Sequence, residues 1–284
     1  TASTEPRLWL YPTRAIRRKN LGEFILWSTL AGEDDRFATT QAPQNPAEQP
    51  RYRRWVDFAR RLRLPLEFEL GQRYRGDFHT LLASAHSLVT TSVGEGFGLA
   101  FLEPWLMGRP LAGRDLPEIT QDFREVGIDL ANLYPRLAVP LEWLDRDRLF
   151  GAVRTTLSEV MAAYGRIATA SDLERAWNAL GEGDRIDFGR LDEIAQEEVI
   201  LQLTAHPDSR RMLSPPRLQL TERAAVRCNQ GLVRKHFSLA GYGQLLLGIY
   251  RQLLARPAGP LQNADGAALL DRFLAPERLT LLRT

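Results

Sequence analysis

The chain has 284 residues, 44% hydrophobic and 25% charged, an ordinary globular composition with enough apolar material for one large domain or two small ones. Its 37 basic and 35 acidic side chains leave a net charge of +2, so no overall field directs it to nucleic acid. One cysteine, Cys228, excludes an intrachain disulfide and a thiolate metal cage, and no apolar run reaches the roughly 18 residues of a membrane span. These features, with residues 1–20 too charged for a signal peptide, predict a cytoplasmic protein with Cys228 in its core.

Leu8-Trp9-Leu10-Tyr11 predicts a short strand closed by Pro12-Thr13, and 21–30 has helical apolar spacing, so the chain opens on a β-loop-α unit. Residues 33–50 read as a long polar loop. A basic helix follows over about 51–63, burying Trp55, Phe58, Ala59 and Leu62. A strand is expected over 66–70, a helix near 76–86 carrying His79 and His86, and a buried strand over 87–91. The glycine-rich turn 94–98 leads into a helix over 99–107, stopped by Gly108-Arg109-Pro110 before a fourth strand at 110–113. Strands alternating with helices predict an α/β, Rossmann-like, doubly wound parallel sheet.

From about 146 the pattern turns helical, over 146–164, 171–180, 190–203 and 219–231, with polar or Pro-rich breaks at 181–189 and 207–217. A strong helix over 238–254 and one more short helix in the tail complete it. The domains expected are residues 1–160 plus 232–255 as the Rossmann-like unit, 161–231 as a helical insertion and 256–284 as a C-terminal tail.

Two segments carry the chemistry. Thr13 to Asn20 contains Arg14, Arg17, Arg18 and Lys19 where a strand's carboxyl end meets a helix, the place where doubly wound folds bind ligands and helix N-termini attract phosphate. Arginine offers a bidentate fork and lysine a point charge, a suitable pair for a diphosphate, although a solvated basic loop is the simpler explanation of this segment taken alone. Lys19 and Lys235 are the only lysines, which sets Lys19 apart from the arginine background. In Ser92 to Glu103, Gly94, Gly96 and Gly98 permit positive φ and expose N–H groups, while Glu95 and Glu103 stand eight residues apart. Two carboxylates beside such a turn suit sugar hydroxyls better than phosphate. A tight turn with two incidental glutamates is the competing explanation.

The sequence EGFGLAFLE followed by PWLMGRPLAGRDLPEI resembles the E-x7-E region of retaining glycosyltransferases of the two-Rossmann-domain (GT-B) class, a superfamily that includes glycogen synthase and sucrose-phosphate synthase. Arg14 and Lys19 match that family's Arg-x4-Lys spacing. The resemblance implies that Arg14 and Lys19 contact the donor diphosphate, that Glu95 contacts the transferred sugar and Glu103 the ribose, and that Gly96, Phe97, Gly98 and Leu99 supply backbone N–H groups. It implies the C-terminal, donor-binding half of such an enzyme, covering about 8–160 with a further likeness over Val233 to Leu254. The donor is a UDP-, GDP- or ADP-sugar, the acceptor a sugar or small molecule, and no cofactor or metal is expected. Thr13 departs from the family's usual glycine, and Pro104-Trp105 from its usual small residues. The class also has an acceptor-binding domain ahead of this region, so a missing N-terminal domain or partner chain is expected. Gly71, Gln72 and Arg73 are the candidates to face the base.

Other clusters read more simply. Asp145-Arg146-Asp147 opens a helix, where aspartates cap N–H groups, rather than holding a metal. Asp34-Asp35 reads as a solvated loop, His79 and His86 lack a third ligand, and the arginines of 51–63 form a solvent-facing helix rather than a membrane surface. The alternatives to a transferase are a sugar-nucleotide epimerase and a non-catalytic nucleotide-binding or interaction module.

Overall fold

The computed structural model describes residues 6–257, 259 and 265–282. At its centre β1 (Arg7–Arg14) runs into α1 (Leu21–Thr29), then β2 (Asp35–Gln41), α2 (Gln49–Arg61), β3 (Leu66–Glu67), α3 (Leu70–Arg73), α4 (Phe78–Ser84), β4 (Ser87–Thr90), α5 (Glu103–Leu106), β5 (Leu111–Gly113) and α6 (Pro117–Glu125). The five strands pair in parallel in the order β3-β2-β1-β4-β5. Strand order therefore reverses between β1 and β4, which opens a crevice at their carboxyl ends.

Successive strand side chains point to opposite faces, and each face is covered by its own helical layer. Trp9, Tyr11, Phe37, Val89 and Ala112 enter one core with α1 and α2, whereas Leu10, Ala38, Leu88 and Leu111 enter a second with α4, Phe101, Trp105 and Phe123. This burial on both faces is why the strands read as apolar runs rather than as polar–apolar alternation.

One strand departs from the sequence reading. Residues 33–50, expected as a loop, contain β2, which pairs with β1 in the middle of the sheet. Its Thr39 and Thr40 are buried, and the Thr40 hydroxyl accepts from the Thr13 amide (2.9 Å) and donates to the Thr13 carbonyl (3.1 Å). A polar sequence makes a core strand here because neighbouring backbone satisfies its hydroxyls. Asp35, read as solvated, is buried at the start of β2 and accepts from Arg7 Nε (2.8 Å) and Trp9 Nε1 (2.9 Å).

The second half holds β6 (Ala138–Pro140), α7 (Arg146–Ala163), α8 (Ala170–Ala179), β7 (Gly181–Glu182), β8 (Arg185–Asp187) and α9 (Glu193–Ala205). It ends with α10 (Arg223–His236), α11 (Leu239–Ala255) and α12 (Gly266–Phe273). Strands β6, β8 and β7 form a small antiparallel sheet, so the expected break at 181–189 is partly a hairpin. Ala195, Val199, Ile200 and Leu203 of α9 share the core of α1 and α2, and α10 contributes Val226 and Val233 to the other. Cys228, expected inside, is exposed on α10. No residue of α11 is buried. Part of the tail expected at 256–284 lies outside the described residues; α12 lies within it. Among the described residues, no helix is long and apolar enough to cross a membrane.

Candidate functional site

The loops after β1 and β4 meet at the switch point. After β1 the chain makes a single 3-10 turn, Arg17–Lys19, and Asn20 then takes a left-handed conformation (φ 50°) that starts α1. Asparagine is among the residues that tolerate this region best. The loop is sewn to the end of β4: the Val93 amide donates to the Arg18 carbonyl (2.9 Å), and Thr91 Oγ1 donates to the Lys19 carbonyl (3.1 Å) and is 3.0 Å from that of Asn20. Beneath, the buried Tyr11 hydroxyl donates to the Lys19 carbonyl (3.0 Å), and burial raises its pKa far above 10.

After β4 comes the glycine turn. Gly98 has φ 72°, and a Cβ there would lie 2.5 Å from Ile119 Cγ2, so glycine is required both by conformation and by space. The helix expected over 99–107 is broken into a 3-10 turn over Leu99–Phe101 and the short α5, whose second residue is Pro104. Glu103 consequently sits at the first position of α5, at the cavity rim. Desolvation raises its carboxyl pKa, against the pull of His79.

These loops enclose a cavity of about 360 Å³ whose lining includes Lys19, Glu95, Gly96, Phe97, Gly98, Leu99 and Glu103, with Arg18, Tyr11 and Pro12. The structure thus brings together seven of the eight residues singled out from the sequence. The eighth, Arg14, does not line it; it ends β1, exposed, with no side-chain hydrogen bond or ion pair among the described residues. Arg18 lines the cavity in addition, and nothing in the sequence separates it from Arg17 beside it. Lys19 Nζ lies 2.5 Å from Glu95 Oε1, the two side chains only 17% and 10% exposed. Phe97 is 89% exposed at the mouth. Gly71, Gln72 and Arg73, in α3, do not line the cavity.

Support from α9 was not legible in the sequence. Arg17 donates to both oxygens of Glu193 (2.7 and 3.0 Å), and its amide to Glu48 (3.1 Å). Gln196, fully buried, donates from Nε2 to Asn20 Oδ1 (2.9 Å) and to the Phe188 carbonyl (3.1 Å). In the basic helix α2, Arg54 pairs with Glu197 and Arg51 approaches Glu193, so two of its arginines face α9. Asp145 caps α7 by accepting from the Arg148 amide (3.0 Å). His79 lies in α4 and His86 beyond its end, against Trp9. Among the described residues no group of three histidine, cysteine or acidic side chains is placed to hold a metal.

A parallel sheet flanked by helices, with a ligand-sized cavity at its switch point, defines a Rossmann-like α/β protein. No protein-family model matches the chain. It is similar to the mannosylglucosyl-3-phosphoglycerate synthase of Petrotoga mobilis, a glycosyltransferase, with 22% identity over 254 residues covering 88% of this chain and 49% of that protein. The chain is therefore a distant homologue of a glycosyltransferase, and it spans about half the length of the curated relative it matches.

Proposed function

We propose that the chain is the donor-binding part of a retaining GT-B glycosyltransferase, moving a sugar from a nucleoside diphosphate to an acceptor hydroxyl without a metal. The observation that carries this reading is the convergence of Lys19, Glu95, the Gly96–Leu99 turn and Glu103 on one cavity at the β1/β4 switch point. Lys19 and Arg18 face the diphosphate with the turn amides, Glu95 accepts from sugar hydroxyls and Glu103 from the ribose, while the contact expected of Arg14 would need its exposed side chain to turn toward the bound donor. In transfer, the bond from the sugar's anomeric carbon to phosphate breaks and the acceptor oxygen bonds that carbon on the same face. The acceptor proton passes to the departing diphosphate. Cations and amides aimed at the oxygens where charge grows are the main catalytic means available to such a site. The acceptor is held by a further domain or partner chain.

A thermal-shift panel of UDP, GDP and ADP tests the reading. The matched nucleotide at 100 times its dissociation constant stabilises the fold by about 2.7 kcal/mol, and a flat panel defeats the proposal. Transfer is then assayed with the matched sugar nucleotide and acceptors that include a glucosyl-3-phosphoglycerate, the group carried by the relative's product.

A further inference from the structure

Lys19 and Glu95 pair with each other: Nζ to Oε1 is 2.5 Å, and both side chains are largely withdrawn from water. The proposed function assigns them to different parts of one donor, Lys19 to the diphosphate and Glu95 to the sugar. We propose that this ion pair is a selectivity latch, which makes the site hold a nucleoside diphosphate that still carries its sugar in preference to the bare nucleoside diphosphate. The inference rests on the donor-site reading above.

The argument is electrostatic. A diphosphate entering the cavity draws the Lys19 ammonium toward itself, and the Glu95 side chain, only 10% exposed, loses its hydrogen-bond partner beside a ligand of like sign. A bare diphosphate offers that carboxylate no replacement donor, so part of the phosphate attraction is lost to the stranded charge. An attached sugar supplies hydroxyl donors where the ammonium was, and the carboxylate is satisfied again. The exchange is a side-chain event. The two loops are pinned to each other, by Thr91 on the Lys19 carbonyl and by the Val93 amide on the Arg18 carbonyl (2.9 Å), which resists relief of the mismatch by the loops moving apart. Since the bare diphosphate is what remains after transfer, the latch also favours its release.

Calorimetric titration of the wild type and of Glu95→Gln, with the matched nucleoside diphosphate and its sugar conjugate, tests this. Removing the Glu95 charge is expected to tighten bare diphosphate binding about three- to tenfold while leaving the conjugate unchanged or weaker, so the preference for the sugar-bearing ligand collapses. Unchanged or weaker binding of the bare diphosphate by Glu95→Gln overturns the latch. A wild type that binds neither ligand defeats the donor-site reading instead, and the two failures are distinguishable. A second readout needs no ligand. With only Lys19 and Lys235 present, lysine-selective isotope labelling gives two side-chain signals, assigned by Lys235→Arg. The Lys19 signal is expected to shift in Glu95→Gln; one that stays in place shows that the pair does not form, and overturns the proposal.

Discussion

The buried carboxamide of Gln196 makes a severe local test of how the phosphate loop is held. Gln196→Leu keeps side-chain size while deleting the donor to Asn20 Oδ1 and to the Phe188 carbonyl, both bonds lying in fully enclosed surroundings. A buried acceptor left without a partner costs about 1–3 kcal/mol, and one is stranded, Asn20 Oδ1, since the Phe188 carbonyl keeps the Leu191 amide (3.2 Å). Against this, the Gln196 Oε1 atom is itself buried without a hydrogen bond, so its removal returns part of the loss. The balance is a destabilisation of about 1–2 kcal/mol, read by urea denaturation at constant slope. Because Asn20 follows Lys19 directly, binding of the matched nucleoside diphosphate should weaken as well, on the order of tenfold, more than binding of the free nucleoside. Asn20→Gly preserves the left-handed backbone and completes a double-mutant cycle, with an expected coupling of about 1 kcal/mol between the two sites. A Gln196→Leu protein within about 0.5 kcal/mol of wild type, or a coupling near zero, refutes the claim that α9 braces the loop.

Lys19→Ala should weaken the matched nucleoside diphosphate by about 1.5–3 kcal/mol in calorimetry while the free nucleoside binds as before; an equal loss for both removes Lys19 from the diphosphate. Glu103→Gln should erase the preference for ribonucleotides over 2′,3′-dideoxy analogues, and Glu95→Gln should leave it intact; the reverse pattern exchanges their roles. Arg114→Met strands Glu23 and Asp187, whose carboxylates lie 2.6 and 2.8 Å from Arg114 Nη2, and should cost about 3–5 kcal/mol in denaturation; a neutral outcome means the carboxylates find other partners. Burial raises the hydroxyl pKa values of Tyr11, Tyr52 and Tyr134 above the ordinary 10, so the folded chain keeps three protons that the unfolded chain releases. Stability is full below pH 10 and should fall above it by about 4 kcal/mol per pH unit, with Tyr52→Phe removing a third of that slope; a pH-independent curve over this range contradicts the burial argument.

The parts of the fold that read correctly from the sequence are those whose physics is local. Leu8 to Tyr11 and Ser87 to Thr90 are short runs that become strands buried on both faces, and the periodic apolar positions of 51–63 predict the buried Trp55, Phe58 and Ala59 of α2, Leu62 being only half-buried just past its end. Strand β2 was hidden because DRFATTQ is polar by composition and becomes a core strand only through partners supplied by Thr13 and by Arg7 and Trp9. Helix α6 escaped notice for a similar reason. It begins at Pro117 and buries only Thr120 and Phe123, too few positions to set a period. The turn holding Glu95 was legible because three glycines in five residues mark it, whereas Arg18 was not, since four of the six residues from Arg14 to Lys19 are basic and only the turn geometry selects which enters the cavity.

The residues that fix the candidate site also show why its second half resisted reading. Asn20 is shared between two buried networks. Its Nδ2 donates to Glu23 (2.7 Å), and Glu23 accepts from Tyr134 (2.7 Å) and from Arg114, which reaches on to Asp187 at the end of β8. Its Oδ1 accepts from Gln196 of α9. Gly22, two residues on, has no room for a Cβ, which would meet Gln196 Oε1 and the Trp55 ring. The geometry of the six-residue loop between β1 and α1 is therefore set by side chains up to 176 positions away, from segments whose own sequences carry no nucleotide-binding signature. Such a loop cannot reach its working shape until β8 and α9 have docked, because without them Asn20 loses its Gln196 partner, the Glu193 anchor of Arg17 disappears and Arg114 keeps only one of its two carboxylates. The cavity and the break expected at 181–189 are thus linked. The hairpin within that break places Asp187, and Asp187 holds the arginine that helps keep Glu23 beneath the donor loop.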